Sequence, residues 1–161
     1  VAHGAWDPTA PMIAPAEELA KSEGVTLVVE TGNGTMVNSN YTARKLIDEH
    51  DAKDTLKVLW DPGNNCWCHE QAWPDGYDAV RGGYLGHVHI KDVLVDTPRA
   101  TLEVRRMGVG QLAPMFEPIA QALRQDGYDG VISFESVYHP GNGNFEDGFR
   151  LCIDRFKQIF G

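Results

Sequence analysis

The stretch LGHVHIKD, residues 85–92, alternates apolar and histidine side chains and then closes on a charged pair. A period of two predicts a strand that turns His87 and His89 to one face and Val88 and Ile90 to the other. Three more segments share that β-branched, apolar character: VTLVVET (25–31), LKVLWDP (56–62) and GVISFES (130–136). Helical signals lie between them. APAEELAKSEG (14–24) has Pro15 near its start and Gly24 just past its end, Asn38 or Asn40 is placed to cap YTARKLIDEHD, and LAPMFEPIAQALRQDG (112–127) stops at a glycine. Toward the end of the chain Phe145, Phe149, Cys152 or Ile153, Phe156 and Phe160 recur at helical spacing, which predicts an aromatic stripe packed on a sheet. Strands that alternate with helices form parallel βα units, because a parallel neighbour needs a crossover long enough to hold a helix. The predicted class is α/β, with about four βα units in one domain over residues 1–161.

Composition narrows the function. The 161 residues are 42% hydrophobic and 23% charged, enough for one sizeable core. With 23 acidic against 14 basic residues the net charge is −9, and the basic groups do not gather in a patch, which argues against a nucleic-acid partner. No apolar run approaches the roughly 20 residues of a membrane helix, so no membrane partner is expected. The leading VAHGAWDPTAP has neither the charged nor the apolar region of a signal peptide. Cys66, Cys68 and Cys152 are an odd number and the first two stand too close to bridge easily, which points to a reducing, cytoplasmic compartment.

The chemistry emerges where the four strands end. Glu30, Asp61, His89 and Glu135 stand one at each strand terminus, and in parallel α/β folds side chains there converge on the open face where ligands bind. A lone acidic residue at such a position usually caps a helix or faces solvent. Four coinciding strand ends form an O₃N donor set suited to a divalent metal ion (Mn, Mg, Co or Zn) with positions left for a substrate. A cation would also offset the repulsion of three close carboxylates. Strand alternation is consistent with this: Thr26 and Val28 share a face with Glu30, Leu59 with Asp61, His87 with His89, and Ser133 with Glu135.

These residues resemble the C-terminal half of the xylose isomerase-like TIM-barrel superfamily of sugar phosphate isomerases and epimerases. The resemblance rests on ET at the fifth strand, D-P-G-N at the sixth, H-x-H-x-K-D at the seventh, G-x-G in MGVGQ (107–111), and GYDGVISFES leading into the eighth. It runs from about residue 14 to the end. It implies a partial TIM barrel holding strands 5 to 8. Glu30, Asp61, His89 and Glu135 match the family's metal ligands, and Glu30 and Glu135 match the catalytic pair that moves protons on opposite faces of the substrate. The implied activity is metal-dependent isomerisation or epimerisation of a small-molecule sugar or sugar phosphate, by proton transfer through a metal-stabilised enediolate. Asn64 falls where some epimerases carry a substrate-binding histidine, so it is a substrate-binding candidate and a departure from the tagatose-type pattern. His87, one pleat below His89, and Lys91 are further substrate-binding candidates, each alternatively a support for the metal ligands. Arg105, with Arg99 and Arg106, lies in the loop after the seventh strand, where a substrate phosphate or carboxylate could be met.

Other features compete. Cys66, Cys68 and His69 in CWCHE (66–70) suggest a zinc site only weakly, because no second ligand pair accompanies them. Trp60, Trp67 and Trp73 bracket the same loop and could stack on a sugar or simply pack. His139 follows the eighth strand closely enough to reach the site, whereas His3 and His50 carry no informative context. A complete TIM barrel needs eight βα units and about 250 residues. Four units imply either a missing N-terminal half or a second chain that completes the barrel. A homodimer of half-barrels is disfavoured, since two tetrads would crowd six carboxylates and two metals into one mouth. Two other functions remain open: a non-catalytic half-barrel fragment or binding module, and an endonuclease IV-like nuclease, the latter opposed by the acidity and by a DPGN loop that lacks histidine.

Overall fold

The alternation around LGHVHIKD is realised as a parallel sheet in a computed structural model, which describes residues 10–135, 137–141 and 143–161. His3 and Ser136 lie outside the described residues. Strands β1 (Leu27–Glu30), β2 (Leu56–Trp60) and β3 (Leu85–Ile90) are followed by the short strands β4 (Asp92–Asp96) and β5 (Thr101–Arg105), then by β6 (Val131–Phe134). The main sheet has the order β1-β2-β3-β6, every pair parallel. Helices α1 (Ala10–Glu23), α2 (Asn40–Glu49), α3 (Pro62–Trp67), α4 (Tyr77–Val80), α5 (Phe116–Gln125) and α6 (Phe145–Phe160) complete the chain. This is half of a TIM-barrel-type α/β fold, with four βα units. No helix among the described residues is long and apolar enough to cross a membrane.

Alternation sorts the sheet into two unlike faces. Val58, Trp60, Val88 and Ile90 point toward the helices and are fully buried in one core with Ile47, Phe116, Ile119 and Ile159. The opposite face carries Glu30, His87, His89 and Ser133, and at its margins Val28 and Val131 remain 43% and 60% exposed. That exposed face is the one a closed barrel turns inward. A register shift between Val58 and Leu59 brings Leu59 opposite His87. Gly86 sits in that irregularity, and a Cβ there would come within 2.5 Å of the Lys57 Cβ.

Several elements differ from the sequence reading. Helix α1 already includes Ala10, so Pro15 lies inside it, where proline forgoes the bond to the carbonyl four residues back and crowds that carbonyl with its ring. Ser39, not Asn38 or Asn40, caps α2 in a reciprocal box: its side chain accepts from the Thr42 N–H while Thr42 Oγ1 accepts from the Ser39 N–H, each at 3.0 Å. Asn40 is instead buried, donating from Nδ2 to the Gly76 carbonyl at 2.6 Å. The 112–127 segment opens as a 3-10 turn (Ala113–Met115) before α5. On α6 the buried residues are Gly148, Cys152 and Ile159; Phe145 and Phe149 are exposed, while Phe156 and Phe160 are partly buried against the core and Phe149 and Phe156 meet Phe134 of β6. The loop expected after the third parallel strand is the antiparallel hairpin β4–β5, in which Arg105 pairs in register with Asp92.

Candidate metal centre

The sheet delivers Glu30, Asp61 and His89 to one place. One ligand atom from each lies within 4.8 Å of the other two, and among the described residues this is the only group of three or more His, Cys, Asp or Glu side chains so arranged. Glu30 ends β1 and stays exposed. Its Oε1 accepts from Asn64 Nδ2 at 3.2 Å, and the same nitrogen donates to the Thr31 carbonyl at 2.9 Å, so Asn64 ties the carboxylate to its own strand end. His89 Nδ1 stands 3.6 Å from Glu30 Oε1 and is buried without a hydrogen-bond partner. A buried imidazole nitrogen left unmatched beside two carboxylates fits a metal ligand, so the residues present suit a divalent cation.

Asp61 serves two ends at once. As the N-cap of α3 its Oδ1 accepts from the N–H groups of Gly63 at 2.8 Å and Asn64 at 3.1 Å. Its Oδ2 accepts from Lys91 Nζ at 2.6 Å, and Lys91 also donates to Glu135 Oε2 at 2.5 Å. Glu135 thus meets the centre both through the Lys91 ammonium and through its own contact with the Asp61 carboxyl. Burial pushes the Asp61 carboxyl up to about 6, against the pull of Lys91. At Glu135 burial acts in the same direction, but the bond to Lys91 and its charge outweigh it and hold the carboxyl below its usual range. Burial also opposes the Lys91 charge, and the two carboxylates overcome it, raising the ammonium above its ordinary value. Gly63 is part of the arrangement: a Cβ there would stand 2.9 Å from Lys91 Cγ and Cε.

The remaining candidates are placed as follows. His87 shares the face of His89, their rings 5.1 Å apart and nearly perpendicular, and its Nε2 meets Ser133 Oγ at 2.7 Å. Burial, then the neighbouring His89, lowers its pKa, so His87 is kept neutral. Arg105 is on β5 with its guanidinium 2.6 Å from Glu103, Arg99 pairs with Asp96, and Arg106 donates to the Leu151 carbonyl. Arg105 also keeps its Nε buried without a hydrogen-bond partner. Cys66, Cys68 and His69 form no metal cluster among the described residues, and Cys66 is buried with its thiol pushed up to about 11. His139 packs its ring edge-on against Phe145. Of the three tryptophans, Trp60 is buried and donates to Asn65 Oδ1 at 2.6 Å, Trp73 stacks on Tyr77, and Trp67 alone is 40% exposed.

Two features had no reading in the sequence. A cavity of about 470 Å³ opens beside the centre, lined by Glu30, Asn33, Asn64 and Trp67 among others. And Asp92, buried, accepts five backbone N–H bonds: Oδ2 from Gly108, Val109 and Gly110, Oδ1 from Val93 and Leu112. The Lys-Asp pair and the MGVGQ motif were both visible in the sequence, and the signal that joins them is the glycine spacing. Gly108 takes φ +88°, and a Cβ at Gly110 would lie 2.3 Å from Asp92 Oδ1, so both glycines are required for the loop to close on the carboxylate.

With known proteins the agreement is in fold. The family described as xylose isomerase-like TIM barrel matches residues 2–156. Comparison with curated proteins returns no match. Among solved structures the chain is similar to a 3-keto-D-glucoside 4-epimerase from E. coli at 23% identity and a TM-score of 0.69, covering 95% of this chain and 53% of that one. It is similar to an L-ribulose 3-epimerase at 20% identity and TM-score 0.73, covering 96% and 54%. It is also similar to a xylose isomerase-like TIM barrel protein from Mycobacterium smegmatis in complex with magnesium, at 18% identity and TM-score 0.72, covering 100% and 53%. The chain therefore spans about half the length of these solved structures.

Proposed function

This chain belongs to the xylose isomerase-like TIM barrel family, and from that premise we propose that it carries the metal-binding half of an isomerase or epimerase acting on a small sugar or sugar derivative. The observation that carries the reading is the convergence of Glu30, Asp61 and His89 around a buried imidazole nitrogen with no other partner. Glu30, Asp61, His89 and Glu135 would hold the cation. Once bound, it would acidify the C–H beside a chelated carbonyl. The rest falls to the chain's own groups. Glu30, exposed at the mouth, is placed to take or return a proton, and Asn64 keeps its carboxylate turned to the cavity. Glu135, on the far strand, is held ionised by Lys91 and is the second proton-transfer group. The similarity to two sugar epimerases and to a magnesium complex supports this class of activity.

A second reading is a half-barrel that keeps the ligands without completing a pocket, supported by the exposure of Val28 and Val131 on the ligand-bearing face of the sheet. Titration with Mn²⁺, Mg²⁺, Co²⁺ and Zn²⁺ by calorimetry, beside deuterium uptake from D₂O into a ketose panel, separates the two. Metal binding that is lost in a His89→Ala, Asp61→Asn variant, with solvent deuterium entering a ketose, is the expected outcome. Metal binding without exchange identifies the non-catalytic half-barrel, and absence of metal binding overturns both.

A further inference from the structure

Beyond the cavity at Glu30 lies a second one of about 520 Å³, which shares Asn33, Thr35 and Trp67 with the first. Its outer wall is the β4–β5 hairpin, through Thr97, Thr101 and Leu102, and its inner wall is the end of α3. Each cavity falls within the ~300–1,000 Å³ range of an entire small-molecule site. One reacting sugar seated at Glu30 and Asn64 occupies the first and leaves the second for whatever that sugar carries.

The lining tells what that appendage is. No lysine or arginine lines either cavity, and the ionisable side chains that do are Glu30, Cys68 and His69. The hairpin's arginines pair on the hairpin, Arg99 with Asp96 and Arg105 with Glu103, although Arg105 keeps a buried Nε without a partner. Lys91 is committed to Asp61 and Glu135. A phosphate would therefore meet no bidentate or ammonium partner from this half of the site. The uncharged polar and aromatic lining groups are amides, hydroxyls and one exposed indole, among them Asn33, Asn38, Thr97, Thr101 and Trp67, beside the apolar Val95, Ala100 and Leu102. Amides and hydroxyls satisfy sugar hydroxyls without charge, and an exposed indole offers its face to the C–H side of a pyranose ring.

We propose that the hairpin cavity is a subsite for an uncharged glycosyl group attached to the reacting sugar, with Trp67 as its specificity-determining platform, so that the substrate is a glycoside and not a sugar phosphate. This rests on the isomerase or epimerase reading above. The test compares fructose, fructose 6-phosphate and isomaltulose, in which a glucosyl group occupies the oxygen that carries the phosphate. Binding to the Mn²⁺-loaded protein is measured by calorimetry, and deuterium uptake from D₂O is followed in parallel. Isomaltulose is expected to bind about tenfold more tightly than fructose, and fructose 6-phosphate no more tightly. Trp67→Ala erases the isomaltulose advantage, while Trp67→Tyr, which keeps an aromatic face, retains most of it. The proposal is overturned if the phosphate binds best, if isomaltulose shows no advantage, or if Trp67→Ala weakens all three ligands equally. Failure of the catalytic reading is seen separately, as absence of deuterium in every ligand, and the binding series still decides the subsite.

Discussion

At the scale of single residues, Lys91 is the side chain whose surroundings most constrain it. Its ammonium is the shared partner of Asp61, 0% exposed, and Glu135, and Gly63 leaves room for its aliphatic stem. Lys91→Met leaves two carboxylates facing each other across a buried gap. Removing one member of a buried ionic group costs about 3–5 kcal/mol, because the remaining charge is left without compensation. A loss of that size in urea unfolding is the expected outcome, and Mn²⁺ added to the variant restores part of it by taking the place of the missing positive charge. An unfolding midpoint unchanged from wild type would mean that the ammonium does not hold the two acids together. His87 is the contrasting case: neutral and hydrogen-bonded to Ser133, it supports the face on which His89 stands. Periodicity alone could place the two histidines on one face. It could not tell that one has a hydroxyl partner and the other has none.

At the scale of elements, the hairpin and the loop after it are organised by Asp92. Five N–H groups converge on one carboxylate, so the segment from Gly108 to Leu112 is fixed by side chain to backbone bonds and not by strand pairing. Gln111 adds to this, its Oε1 accepting from the Val95 N–H at 2.8 Å and so tying the loop back to β4. Asp92→Ala strands these donors and costs at least about 3 kcal/mol, since each buried unsatisfied group carries its own desolvation penalty. Hydrogen exchange across 108–112 is expected to quicken far more than exchange in β2 or β3, and uniform quickening would count against a local clamp. The hairpin was not legible in advance because its strands are five residues each and follow a strand end directly, a position where loops are the rule. The helices were legible from spacing and punctuation. Their caps were less so: Ser39 outcompetes the flanking asparagines because only it stands three residues before a threonine that returns the bond.

For the whole molecule, the asymmetry of the sheet is decisive. One face is sealed by helices, while the other exposes Val28 and Val131 and ends in the edge strands β1 and β6. Exposed edges and apolar side chains at a sheet's margins promote association. The 161-residue chain by itself is expected to bind a hydrophobic dye and to sediment above its monomer mass of 17.8 kDa, whereas a chain continuous with a complementary half-barrel does neither. A dye-silent monomer would show that the exposed face is stable without a cover.

By itself, the sequence determined the four parallel βα units, the face of each strand and the identity of the side chains at the four strand ends. Those follow from a period of two, from glycine and proline punctuation, and from the need of parallel strands for helical crossovers. Only the tertiary structure decided how those ends meet: Glu30, Asp61 and His89 together, Glu135 against Lys91 and Asp61, Arg105 on the hairpin beside Glu103, and Trp67 alone among the bracketing tryptophans exposed. Pattern along a chain encodes direction and burial. The partner each charged group finds depends on distances between strands and loops far apart in sequence, which are set when the sheet twists and the loops close over it.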